Sequence, residues 1–345
     1  MRRRTALAGF AGAAGLAAAG ALAQKRLADS IAADPESERL RRPLRGEERS
    51  VQGADGNRLH VEAFGPVDAP KLVLVHGWMC AIPFWRWQIE ELAADFRVIA
   101  YDQRGHGRSA GAADYSFDAF ADDLGCVLAA VAADDERVLA AGHSMGAMTI
   151  AAWAGRRPAE VGRRLAGCLL SSTGLGDLIM QSVVMRTPER LTGLRDPLGR
   201  LLMGAELPVP ATPTPLGDAA VRFVAMNPEA SPARVAFVRR MVLSANPKAR
   251  GAAGRSMARM DLWQALESLT VPTTVITGAA DKMTPPALAH RLADTLPSLV
   301  ELVELPGIGH MAPIEAPEKV NEAIRGLSEP SSAAAPRRTT AAIAE

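Results

Sequence analysis

The sequence predicts an α/β fold: a mostly parallel, doubly wound sheet with a helical cap inserted over one end. Three observations carry that expectation. Continuous apolar runs recur along the chain, KLVLVHG (71–77), FRVIAYD (96–102), RVLAAGH (137–143), LAGCLLSS (165–172), TTVITG (273–278) and LVELVEL (299–305). Runs of this kind suit strands buried on both faces of a parallel sheet. Helix-like segments, WRWQIEELAAD, FDAFADDLGCVLAAVAA, AMTIAAWAGRR and PALAHRLADTL, separate most of them, and strand alternating with helix is the pattern of a doubly wound sheet. The rhythm then breaks over residues 175–265, which hold helix-like pieces and no strand-like run. That is too long for a loop.

Each segment reads in order. Residues 1–23 open with Arg2, Arg3 and Arg4 and continue without a charge, the layout of an export signal or membrane anchor, and ALA at 21–23 could close a cleaved signal. Ala and Gly make the stretch only weakly hydrophobic, so signal and anchor are both open, with a plain amphipathic helix and a cytoplasmic chain as the alternative. Residues 24–49 are charged, contain prolines and read as a linker. RLHVEAFG (58–65) follows the turn-forming ADGN and alternates apolar with polar. The sheet domain is expected over 50–174 and 266–328, with the cap at 175–265 between them. The cap holds seven of the thirteen methionines, enough to read it either as ordinary helical core or as an adaptable apolar pocket wall in which Met180, Met185 and Met241 are candidates. Residues 329–345 are of low complexity and read as a disordered tail.

A chain of 345 residues, 48% apolar and with a net charge of +1, can bury a large core and does not read as a nucleic-acid binder. Cys80, Cys126 and Cys168 are widely spaced beside apolar runs and read as buried thiols. No Cys/His spacing fits a metal site, and no cofactor is expected.

Ligands of parallel α/β sheets bind outside the carboxyl ends of the strands. The residues there are His76–Gly77–Trp78, Asp102 to Gly107, and Gly142–His143–Ser144–Met145–Gly146, followed by Asp281 and His310. A serine, an acid and a histidine therefore reach one rim in that order. In G-x-S-x-G the serine sits on a strained strand-to-helix turn, and Gly142 and Gly146 leave room for the neighbouring backbone. His310 has rivals in five other histidines: His60 and His290 lie within elements, His143 is inside the turn, and His76 and His106 are placed to shape a pocket floor. Asp281 has a rival in Asp177, after the preceding strand. Asp102 and Arg104 read as ties within their own loop.

The blocks VLVHGW, DQRGHGRS, GHSMGA, GAADKMTPP and GIGHMAPIEAPEKV, in this order over residues 50–328, resemble the α/β-hydrolase superfamily. Within it the chain is similar to the branch of esterases, cofactor-free haloperoxidases and proline-iminopeptidase-like enzymes. The resemblance implies Ser144 as nucleophile, His310 as general base, Asp281 as the acid, and the backbone N–H groups of Trp78 and Met145 as an oxyanion hole. The residue chemistry agrees, since a serine hydroxyl needs a base to become nucleophilic and the base needs an orienting acid.

The expected function is hydrolysis of a carboxylic ester with a short or medium apolar acyl group, or of a lipid ester. Perhydrolysis or haloperoxidase activity, and cleavage of an amide, peptide or carbon–carbon bond, use the same triad and stay open. A serine at the nucleophile position argues against haloalkane dehalogenase and epoxide hydrolase, and an intact triad argues against a non-catalytic binding protein. The expected partner is a small apolar ester, with possible membrane association through residues 1–23. The oligomeric state is not legible.

Overall fold

The computed structural model describes residues 19–206, 214–328 and 337–340. It contains a nine-stranded sheet: β1 (Glu47–Gln52), β2 (Arg58–Phe64), β3 (Lys71–Val75), β4 (Arg97–Tyr101), β5 (Val138–His143), β6 (Leu165–Ser171), β7 (Thr273–Gly278), β8 (Leu299–Leu305) and β9 (Arg337–Thr340). Their spatial order is β1-β2-β4-β3-β5-β6-β7-β8-β9. The β1–β2 and β2–β4 pairs are antiparallel and every other pair is parallel.

Alternation along each central strand explains the continuous apolar runs. In β3, Val73 and Val75 face one core while Leu72 and Leu74 face the other, and both faces are covered by helices. Helix Met145–Arg156 covers the first face with Phe117–Val131; helices Arg86–Leu92 and Pro317–Ser328 cover the second. The chain runs from β3 to β4 on one side and then crosses to β5 on the other. The order therefore reverses at β3–β5, where α/β sheets open a ligand crevice. Residues 175–265 carry the helices Leu178–Gln181, Arg195–Met203, Pro215–Ala225, Pro232–Ser244 and Pro247–Met257, among shorter turns.

Three sequence expectations need correction. The segment expected as a linker, 24–49, is helical over 24–33, continuing a helix that begins at 19 in the expected signal or anchor, and again at Ser37–Arg41, and its end forms the start of β1. Most of its charges face water, but half-buried Glu36 ties it to the body: Arg234 on the cap helix Pro232–Ser244 pairs with Glu36, and Trp87 Nε1–H donates to Glu36 Oε1 at 3.2 Å. Leu40 is buried in the second core. Strand β1, EERSVQ, was not expected because it lies at the sheet edge, largely exposed, and needs no apolar periodicity. Within the expected disordered tail, Arg337–Thr340 pairs with β8, while 329–336 and 341–345 lie outside the described residues.

Residues 1–18 of the expected signal or anchor also lie outside the described residues. Among the described residues, no helix is long and apolar enough to cross a membrane.

Candidate active site

Ser144 sits between the end of β5 and the start of helix Met145–Arg156 with φ 51° and ψ −117°, a conformation that L-residues rarely adopt. The flanking glycines make it possible. A Cβ on Gly146 would stand 2.0 Å from the Val75 carbonyl oxygen, and one on Gly142 would stand 2.6 Å from the Ala147 nitrogen. The turn is held by Ser144 N–H donating to the Ser171 carbonyl at 2.9 Å and by Thr173 Oγ1–H donating to the Ser144 carbonyl at 3.0 Å.

His310 follows β8 and Asp281 follows β7, and the sheet brings them together. His310 Nδ1 and Asp281 Oδ2 are 2.8 Å apart, both side chains buried. A carboxylate only accepts, so Nδ1–H is the donor, and in the neutral ring that tautomer leaves the lone pair on Nε2. The other Asp281 contacts fix the carboxylate. Oδ1 accepts the backbone N–H groups of Met283 (2.8 Å) and Thr284 (2.9 Å), and Oδ2 also accepts Thr284 Oγ1–H (2.8 Å). The rival acid Asp177 is exposed at the start of helix Leu178–Gln181, with Arg291 at 3.9 Å.

Ser144, His143, His310 and Thr284 line one cavity of about 280 Å³. Its remaining walls are almost entirely apolar. Met79, Met148, Met283 and Met311 come from the sheet domain, and Ile179, Met185, Met203, Val221, Val238 and Met257 from the cap. Of the methionines singled out in the sequence, Met185 lines the cavity. Met180 is exposed, and Met241 packs in the second core cluster.

Trp78 also lines the cavity, and its indole Nε1–H donates to the Arg250 carbonyl of cap helix Pro247–Met257 at 3.0 Å. Met145 opens its helix, so its backbone N–H has no intrahelical acceptor. Gly77 leaves space for His143, since a Cβ there would stand 2.7 Å from His143 Nδ1.

The remaining histidines separate by partner. His76 and His106 were expected to shape the pocket floor, but neither lines the cavity. His76 Nδ1–H donates to the Gly77 carbonyl (2.8 Å) and its Nε2 accepts the Gln103 N–H (3.0 Å), stitching two loops together. Burial pushes both down to about 4. His143 supports His310 instead: its Nε2–H donates to the His310 carbonyl at 2.9 Å, and its ring stacks on Phe84. Burial, and then the nearby His310, hold it well below the usual histidine range. Asp102 ties its loop by accepting the N–H groups of Ile82 and Arg108, both at 2.8 Å. Arg104 reaches the buried Asp123 through Nε (2.7 Å) and Nη2 (2.8 Å).

Glu315 lies within the GIGHMAPIEAPEKV block, and it organises the His310 loop. Its buried carboxylate accepts the N–H groups of Gly309 (3.4 Å) and Met311 (3.1 Å), on either side of His310, and that of Asn227 in the cap (2.7 Å). His310 N–H itself donates to the Ala225 carbonyl, also in the cap, at 2.9 Å. Desolvation holds the Glu315 carboxyl above its usual range, against the three N–H donors that favour its ionised form.

A family profile described as alpha/beta hydrolase fold matches residues 70–317. The chain belongs to the α/β-hydrolase family. It is 28% identical over 266 residues to a non-heme chloroperoxidase of Burkholderia pyrrocinia, covering 75% of this chain and 92% of that protein. It is 26% identical over 285 residues to a bifunctional esterase/perhydrolase of Acinetobacter calcoaceticus, covering 79% and 96%. Among solved structures, a thermophilic esterase from Thermogutta terrifontis superposes with a TM-score of 0.64 at 27% identity, covering 81% of this chain and 97% of that one.

Proposed function

We propose that this α/β-hydrolase cleaves carboxylic esters with a short or medium apolar acyl group through an acyl-enzyme on Ser144. The observation that carries the reading is His310, held by Asp281, lining the same apolar cavity as a serine on a strained turn. In the proposed mechanism, His310 Nε2 takes the Ser144 proton as Oγ attacks the ester carbonyl. Asp281 keeps the imidazole in the right tautomer and stabilises the imidazolium. The N–H groups of Trp78 and Met145 hold the oxyanion, an interaction typically worth about 3 kcal/mol per donor. His310 then protonates the leaving alcohol, and water, deprotonated by the same histidine, releases the acid.

The lining supports an apolar acyl group. A cavity of about 280 Å³ with almost wholly apolar walls suits a short or medium acyl chain. A second reading is perhydrolysis, in which hydrogen peroxide instead of water takes the acyl group and leaves as a peracid. The chloroperoxidase and esterase/perhydrolase relatives favour keeping it.

The experiment is a series of p-nitrophenyl esters of graded chain length, with water or hydrogen peroxide as acceptor. Met185→Trp, which narrows the cavity, should move the preference toward shorter chains and spare turnover of the acetate. Equal losses on all esters would count against the assignment of the cavity as the acyl site. We also propose export or membrane anchoring, supported by Arg2–Arg4 and the uncharged stretch after them.

A further inference from the structure

Ten large hydrophobic side chains are exposed among the described residues, and eight of them lie within 175–265, so the apolar surface is a property of the cap. Five form a line. Leu191 and Leu194 lie in the 3₁₀ turn Glu189–Leu194, and Leu198, Leu201 and Leu202 in the helix Arg195–Met203 that continues it. Their three- and four-residue spacing puts them on one side of the helical run. Leu201 is 69% exposed and Leu202 56%. Isolated exposed leucines are ordinary, but a continuous stripe marks an interaction face.

The opposite face of the same helix is committed. Gly199 and Met203 are buried, and a Cβ on Gly199 would stand 2.4 Å from Ile179 Cγ2. Met203 and Ile179 line the Ser144 cavity. One face of the helix therefore walls the cavity while the other presents leucines to solvent, roughly 10 Å away across the helix.

We propose that the leucine stripe along residues 191–202 docks the cap onto the surface of an anionic bilayer. Charge selects this occupant. Arg186, Arg190 and Arg200 are exposed around the stripe, and the stretch 186–203 carries four arginines against two acids, Glu189 and Asp196. A basic, leucine-faced helical run matches the interface of an anionic membrane, where apolar burial and attraction to headgroups add. A second copy of the chain fits less well: pairing the stripe with itself about a two-fold axis would bring together two patches that both carry an excess of arginine. The stripe lies outside the catalytic residues and the cavity lining, so docking is separable from the proposed ester hydrolysis, on which only the turnover arm below rests.

The test uses the full chain carrying Leu201→Cys and Cys126→Ser, labelled with an environment-sensitive fluorophore; the other cysteines, Cys80 and Cys168, are buried. Vesicles of phosphatidylcholine with about one third phosphatidylglycerol should shift its emission to shorter wavelength and raise its intensity. Leu194→Glu with Leu198→Glu should weaken that response by about tenfold or more, while turnover of a soluble acetate ester stays unchanged. No shift on vesicles overturns the proposal, including the case where the chain sediments with vesicles through another segment and the probe stays in water. A shift produced by raising protein concentration without vesicles also overturns it, in favour of self-association. A wild-type chain with no esterase activity would contradict the proposed function and leave the fluorescence result standing.

Discussion

Glu315 accepts the backbone N–H of Asn227 at 2.7 Å, joining the loop that carries His310 to the cap. The same carboxylate holds Gly309 and Met311, the neighbours of His310. The position of the proposed base therefore depends on a residue that never faces the cavity.

Glu315→Gln should test this dependence. The amide keeps one acceptor oxygen but turns an NH₂ toward a backbone donor. Turnover should fall by up to about 10²-fold, the cost of a small misplacement of a catalytic group, while KM for a short ester and the folded circular dichroism spectrum change little. Wild-type kcat in this variant would show that the N–H cluster does not position His310.

The two carboxylates after β6 and β7 make a sharper pair. Asp281→Asn should lower kcat by roughly 10⁴-fold through the wrong histidine tautomer. Asp177→Asn, at an exposed carboxylate paired only loosely with Arg291, should leave kcat within a factor of about two. Steady-state kinetics on one ester compares them, and the reverse order would move the acid to Asp177.

Stability should fall in mild acid. His76 and His106 are buried and titrate near 4, against an ordinary value of 6.5. Between those values the unfolded chain binds more protons than the folded one, so stability declines as pH drops from about 6.5 toward 4, and these two groups add no further loss below that. The loss is on the order of 2 kcal/mol per histidine by about pH 5. Thermal unfolding between about pH 7 and pH 5 reads it; a flat melting temperature would mean that these histidines are not held neutral.

The central strands were legible because both faces of each are buried, which turns alternation into continuous apolar runs such as LVLV and LAGCLL. The turn at Ser144 was legible because close backbone approach leaves glycine as the only residue that fits at 142 and 146. Strand β1 and the helix Ser37–Arg41 were not, because they are held by ion pairs and edge pairing that leave no periodic trace. Glu315 escaped for a related reason, since its Asn227 partner is brought to it by long-range folding, and Thr284 escaped because its local bond to Asp281 leaves no periodic trace. His76 and His106 were legible as loop residues but not as buried ties, because their depth depends on loops packing on each other.

The central claim is that Ser144 is the nucleophile. A fluorophosphonate probe on the wild-type chain should label one residue, identified by peptide mass spectrometry as Ser144. Ser144→Ala should fold normally, take no label, and lose ester hydrolysis by at least roughly 10⁴-fold, since triad members act as a unit. Retention of most of the activity by a folded Ser144→Ala protein, or labelling at another residue, would contradict it.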